Sequence, residues 1–199
     1  MARMRLVDEG DAESVQAIYA PYVRETVISF ELQPPTVDEM AGRIGKVLVA
    51  HPWLVCEDDR GGVAGYAYAS KHRERAAYQW SVDVAVYVRP DCQRTGVGRG
   101  LYTALLAVLS AQGFYNAYAG IALPNDASVG LHRALGFEAV GVYRQVGYKL
   151  GRWHDVSWWG RALQPHSDAA PVPPRPLMDV IDSPAWAAAL DAGLALTRL

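Results

Sequence analysis

From Trp80 to Val88 the chain alternates without a break. Trp80, Val82, Val84, Val86 and Val88 fall on one face and Ser81, Asp83, Ala85 and Tyr87 on the other, the two-residue period of a strand. Pro90 and Asp91 end that run, and Leu101, Leu105 and Leu109 then return at helical spacing. A central strand over residues 78–88 feeding a helix is the expected result. Before it, residues 3–7 predict an edge strand, and Val15, Ile18, Tyr19 and Tyr22 form the apolar stripe of a helix over 11–25. Residues 27–32 are short and β-like until Pro34 and Pro35 stop them. Thr36 and Glu39 have the spacing of a reciprocal cap, which predicts a helix from Val37 towards Val49, weakened by Gly42 and Gly45. Residues 53–57 and 63–70 predict a hairpin. After the central helix come a strand over 115–122, a helix capped by Asn125 or Asp126, Gly136 where a helix end favours a left-handed residue, and strands over 137–143 and 148–163.

This order describes a mixed α/β sheet, since its first and last strands are antiparallel neighbours while the middle reads as strand, helix, strand. At 199 residues the chain suits one large domain, or one domain with a tail, able to bury about 70% of its unfolded surface. The division expected is a body over 1–163 and an extension over 164–199, where PHSDAAPVPPRP is proline-rich. Ser183 and Pro184 then open a short helix whose Trp186, Leu190 and Leu194 share a face, to be covered by this chain or by a partner.

With 19 basic against 21 acidic residues, there is no global field of the kind nucleic-acid binders use, and no nucleic-acid partner is expected. Cys56 and Cys92 stand far apart without zinc-site spacing, which supports neither a disulfide framework nor a metal site. No run approaches 18 uncharged apolar residues and no leader-like segment opens the chain, so a cytoplasmic protein with free thiols and no membrane partner is expected.

The loop over 93–98 lies where the central helix begins, and its glycines let free N–H groups converge there as an anion seat. A Walker loop would need Lys and then Ser or Thr where Arg99 and Gly100 stand, and a dinucleotide fingerprint would need Gly at Leu101. What remains is Gln93-x-x-Gly96-x-Gly98. It resembles the pyrophosphate-binding motif of the GNAT superfamily of acyl-CoA-dependent N-acetyltransferases. QRTGVG, LYTALL, LPNDASV, LHRALGF, GYKLGRWHDVSWW and PVPPRP together resemble the phosphinothricin N-acetyltransferases of that superfamily over about residues 3–176.

The resemblance implies an α/β fold of GNAT type, with a mostly antiparallel sheet, a central splayed strand pair and flanking helices. It implies acetyl-CoA as co-substrate along Val86, Tyr87 and Val88, its pyrophosphate on Arg94, Thr95, Gly96, Val97, Gly98 and Arg99, and a contact from Asn125. The amine would be a small amino acid such as phosphinothricin, methionine sulfoximine or methionine sulfone, and the assembly a homodimer. The aromatic-rich end of the body, Trp153, Trp158 and Trp159, suits a surface buried between chains.

Acetylating an aliphatic ammonium requires removing a proton held with a reference pKa of about 10.4. In the resembling enzymes a Glu stands at the strand position held here by Asp83. Asp is disfavoured in a strand, so Asp83 is either that proton acceptor, directly or through a water, or a solvent-facing or ion-paired carboxylate. His132 in LHRALGF would orient substrate or relay a proton. Arg75 is the first choice for a substrate carboxylate with Arg73 nearby, and Phe30 and Tyr78 would form apolar walls; each has the plain alternative of a surface Arg or a core aromatic. His51, His72, His154 and His166 read as surface or structural. Acetylation of another amine, or an acyl-CoA-binding module without catalysis, are the competing functions.

Overall fold

In the computed structural model, which describes residues 2–199, the alternating run becomes strand β4 (Ser81–Val88). It starts later than the pattern predicts, because Ala76–Tyr78 closes a short 3-10 turn and Trp80 sends its indole N–H to the Val172 carbonyl at 2.8 Å. The other elements, in chain order, are β1 (Arg3–Leu6), α1 (Ala12–Glu25), α2 (Val37–Leu48), β2 (Trp53–Glu57), β3 (Val63–Lys71), α3 (Val97–Gln112), β5 (Asn116–Ala122), α4 (Asp126–Ala134), β6 (Glu138–Lys149), β7 (Arg152–Ala162) and α5 (Pro184–Leu194). Among the described residues the strands form one seven-stranded sheet, ordered β1-β2-β3-β4-β5-β7-β6. Only β4 and β5 pair in parallel; the other neighbours are antiparallel.

Two apolar layers cover the sheet. On one face α3 seats Leu101, Leu105 and Leu109 at 0% exposure, and each such burial stabilises by roughly 1.5–3 kcal/mol. On the other face Val15, Ile18 and Tyr19 of α1 and Met40 and Ile44 of α2 pack over Trp53, Val55 and Tyr66. The reciprocal cap on α2 is present, with Thr36 Oγ1 accepting from the Glu39 N–H and Glu39 accepting from the Thr36 N–H. Gly136 takes the left-handed conformation, φ 77°. At the C-terminus Ser183 caps α5 by accepting from the Trp186 N–H. The apolar face of α5, with buried Trp186, Ala189 and Gly193, lies on α3 of the same chain. The proline-rich stretch is tied down where the Arg175 N–H donates to the Gln112 carbonyl at 2.7 Å. No helix among the described residues is long and apolar enough to cross a membrane.

Two expectations are corrected. Residues 27–32 form no strand, because side chains take over the backbone's hydrogen bonds. The Lys149 ammonium donates to the Val23 and Ser29 carbonyls, both at 2.6 Å, Thr26 Oγ1 accepts from the Ile28 N–H, and Ser29 Oγ accepts from the Glu31 N–H. The loop that results carries Ile28 and Phe30 towards β5 and β7. The last hairpin also turns later than expected. Residues 144–147 form a bulge in β6, with Gln145 at φ 47° and its N–H donating to Asp155 Oδ1. The turn falls at Leu150 and Gly151, both at positive φ, as a tight two-residue turn demands.

Candidate active site

β4 and β5 pair for three rungs only, Ser81 with Asn116, Val82 with Ala117 and Asp83 with Tyr118, and then separate. Beyond the last rung β4 has a neighbour on one side. The Arg89 N–H bonds the Ala64 carbonyl towards β3, so by the two-residue alternation Val88 and Val86 turn their own N–H and C=O groups to the open side. The Tyr22 hydroxyl donates to one of these, the Val88 carbonyl, at 2.7 Å. The opening is a groove of about 460 Å³ lined by Val86, Tyr87, Val88, Arg94, Gly96, Gly98, Arg99 and Asn125, with Tyr22, Ile28, Gln93 and Leu131 also on its walls.

At one end of the groove stands the N-terminus of α3. Its cap residue Gly96 has φ 86° and offers no side chain, so the first-turn N–H groups are left for another acceptor. Gly98 leaves that approach open, since a Cβ there would meet Val88, Leu131 and Val86 at 3.4, 3.7 and 4.0 Å, contacts the protein itself could tolerate. An extended chain ending in phosphates fits this combination of free strand edge and bare helix end. Thr95 and Val97 sit differently from their neighbours: the Thr95 hydroxyl donates to the Cys92 carbonyl, and the Val97 side chain is buried in the core, so only their backbones face the loop's work. The Asn125 side-chain oxygen caps α4 by accepting from the Ser128 N–H at 3.1 Å.

Asp83 lies on the last paired rung, at the apex of the split. Its Oδ1 accepts from His72 Nδ1 at 2.7 Å, a partner that in sequence reads as surface or structural. Burial pushes the Asp83 carboxyl up, while His72, and less strongly Arg73, oppose the rise. The His72 ring stacks on Tyr118, centroids 4.6 Å apart, with Tyr78 and Trp158 edge-on to it at 5.9 and 6.4 Å. No spacing rule links position 72 to 83; β3 and β4 bring them together, where Ser70 faces Asp83.

His132 is buried on the far side of the split. Its Nδ1 meets the Ser128 carbonyl at 2.8 Å, and since a carbonyl can only accept, Nδ1 carries the proton and Nε2 keeps a lone pair. That Nε2 is buried with no partner among the described residues, on a small cavity of about 70 Å³ shared with Val84, Val86, Tyr102, Ala119 and Asn125. Burial holds this imidazole below its ordinary value.

A second cavity, about 430 Å³, opens on the Asp83 face of the sheet between Ile28, Phe30, Gly120, Ala122, Tyr143, Val146, Val156 and Trp158. Phe30 is therefore on a cavity wall. Tyr78 stands beside His72 instead, exposed and outside this lining. Of the two arginines, Arg73 lies over the Trp158 ring at 5.7 Å and is the one Asp83 senses. Arg75 caps the 3-10 turn with no side-chain bond to it and is exposed. Tyr22, Ile28 and Leu131 were missed because each belongs to an apolar pattern that reads as core.

Comparison with known proteins agrees with this geometry. The acetyltransferase (GNAT) domain family matches residues 4–158. A phosphinothricin N-acetyltransferase of Streptomyces viridochromogenes is 42% identical over 177 residues, 89% of this chain and 93% of that protein. An L-methionine sulfoximine/L-methionine sulfone acetyltransferase of Pseudomonas paraeruginosa is 35% identical over 84% of this chain and 98% of its own length. The crystal structure of a phosphinothricin acetyltransferase from Sinorhizobium meliloti in complex with acetyl-CoA superposes with a TM-score of 0.82 at 36% identity, covering 86% of this chain and 93% of that one. With the split strand pair, the bare helix end and a family match over most of its length, this chain belongs to the GNAT acetyltransferases.

Proposed function

We propose that the chain transfers an acetyl group from acetyl-CoA to the amino group of a small amino acid of the phosphinothricin or methionine sulfoximine type. The observation that carries this reading is the placement of Asp83 on the last paired rung of the split, beyond which Val86, Tyr87 and Val88 of β4 line the groove that suits acetyl-CoA and Gly120 and Ala122 of β5 line the cavity that suits a small amine. Acetyl-CoA supplies a thioester open to attack by an amine.

The chain's own residues do the rest. Val86 and Val88 hold the pantetheine arm as an added strand would, and the N–H groups of the first turn of α3, with Arg94 and Arg99, take the pyrophosphate. Asn125 adds a contact from the mouth of the groove. Phe30, Ile28 and Trp158 exclude water around the amine, and Arg73, already over Trp158, meets its carboxylate ahead of Arg75. The negative charge of Asp83 makes deprotonation of the ammonium favourable. Neutral His132, with its lone pair on the cavity at the split, orients the substrate by accepting a hydrogen bond there.

The body over 1–163 is then the acetyltransferase domain, with the 164–199 extension as a brace. Exposed β6 suits a homodimer, buried unpaired Cys56 and Cys92 suit the cytoplasm, and acetylation of phosphinothricin would confer resistance to it as a herbicide.

Thiol release from acetyl-CoA, measured over a panel of amines, tests the assignment. Phosphinothricin or methionine sulfoximine is expected to be turned over, and Asp83→Asn to lower kcat/KM by roughly 10² to 10⁴ with acetyl-CoA affinity little changed. Binding of acetyl-CoA without turnover of any amine would instead leave a non-catalytic acyl-CoA-binding protein.

A further inference from the structure

The structure assigns the proton-accepting atom of the reaction to His72 Nε2, with Asp83 as the positioning residue behind it. This rests on the acetyltransferase reading and deepens it. Asp83 is one methylene shorter than the Glu expected at its position, and its Oδ1 is already engaged at 2.7 Å by His72 Nδ1. That bond fixes the imidazole: Nδ1 holds the proton that Asp83 accepts, and Nε2 presents the lone pair. His72 Nε2 has no protein partner among the described residues and, unlike His132 Nε2, is not sealed from solvent.

The ring is also in the right place. It stacks on Tyr118, which shares the last rung with Asp83, and Tyr118 lies two residues before Gly120, on the same face of β5 and at the floor of the amine cavity. Trp158, which pairs with Gly120, meets the ring edge-on and so joins cavity to imidazole. Extending a short carboxylate through an imidazole keeps the acceptor at the mouth of the split without moving the strand.

In the step, the substrate ammonium gives one proton to Nε2, and the resulting imidazolium is balanced by the Asp83 carboxylate. The freed lone pair forms the C–N bond at the thioester carbonyl, the C–S bond breaks, and the second N–H proton goes to the departing thiolate. His72 then returns its proton to solvent.

Two variants separate acceptor from scaffold. His72→Phe keeps a ring to stack on Tyr118, and His72→Ala leaves room for an added imidazole. With acetyl-CoA affinity within about twofold of the parent protein, both are expected to lose about 10² to 10³ in kcat/KM for an aliphatic amino acid. Free imidazole should restore His72→Ala at least tenfold, and the loss should shrink when the acceptor is hydroxylamine, which is unprotonated at neutral pH and needs no base. His72→Phe retaining more than a third of the parent activity would overturn the assignment, because Asp83 would then be accepting the proton directly. An equal loss on both amines, unanswered by imidazole, would also overturn it. If the parent protein acetylates no amine while binding acetyl-CoA, the broader reading fails instead.

Discussion

Arg73 and Arg75 are two residues apart in sequence, yet only one is electrically present at Asp83. Burial raises the Asp83 carboxyl, and His72 and, less strongly, Arg73 hold it down. A carboxyl raised in the folded protein binds protons that the unfolded chain, at about 3.9, has already released. Its contribution to stability is therefore full below that value and lost as pH rises through the folded value. For activity, if Asp83 balances the imidazolium formed on His72, protonating it removes that charge, so the raised carboxyl moves the acidic limb of kcat/KM towards higher pH. Removing a nearby cation raises an acid's pKa further. Arg73→Gln is expected to move the acidic limb to higher pH and to raise KM for the amino acid, while Arg75→Gln leaves the limb in place. Rate profiles between pH 4 and 8 decide this, and equal shifts from both variants would contradict the placement of Arg73. Chain position alone could not have chosen between them, because the turn at Ala76–Tyr78 determines which arginine faces the sheet.

At the scale of elements, the bare end of α3 is held by a segment that lies outside the recognisable acetyltransferase stretches. The Arg198 N–H donates to the Thr95 carbonyl at 2.8 Å, and a Cβ at Gly96 would run into the Leu196 carbonyl, so the C-terminal segment is fitted against the loop's own backbone. Gly98 faces the groove instead. The two glycines of one motif therefore have different reasons to be glycine, and their substitutions should separate. Gly96→Ala, at φ 86° and against backbone, is expected to destabilise the fold by roughly 1–3 kcal/mol. Gly98→Val is expected to leave the melting temperature within a few degrees and to weaken acetyl-CoA binding at least tenfold, read by calorimetry. Unchanged affinity in Gly98→Val would remove the pyrophosphate from that seat. The caps at Thr36 and Ser183, the left-handed Gly136 and the strand-to-helix core were legible in sequence, because each rests on contacts between near neighbours. The loop over 27–32 was not, since the ammonium that satisfies its carbonyls comes from Lys149, more than a hundred residues away. Nor was His72, whose role arises only when β3 and β4 pair.

For the whole molecule, the sheet has two edges of unlike character. β1 is four residues long, and the Arg5 guanidinium on it bridges Asp11 and Glu57. β6 is twelve residues long with Val140 and Tyr148 each about 60% exposed, and Leu150 in the turn that follows and Trp153 on β7 are equally so. A long apolar edge of this kind invites pairing, and in a monomer it is ordinarily blunted by charge or shortened. Two copies meeting along β6 would bury these side chains, and a stable contact needs about 1,600 Å² in total. Tyr143 and Val146 of the same strand line the amine cavity, so pairing would also wall the substrate site. The intact protein is therefore expected to sediment as a dimer at micromolar concentration, and Val140→Lys with Tyr148→Lys as a monomer. In the monomer KM for the amino acid should rise severalfold more than KM for acetyl-CoA, whose groove lies between β4 and α4, away from this edge. A monomeric parent protein would refute the interface, and a dimeric double-lysine variant would place it elsewhere on the surface.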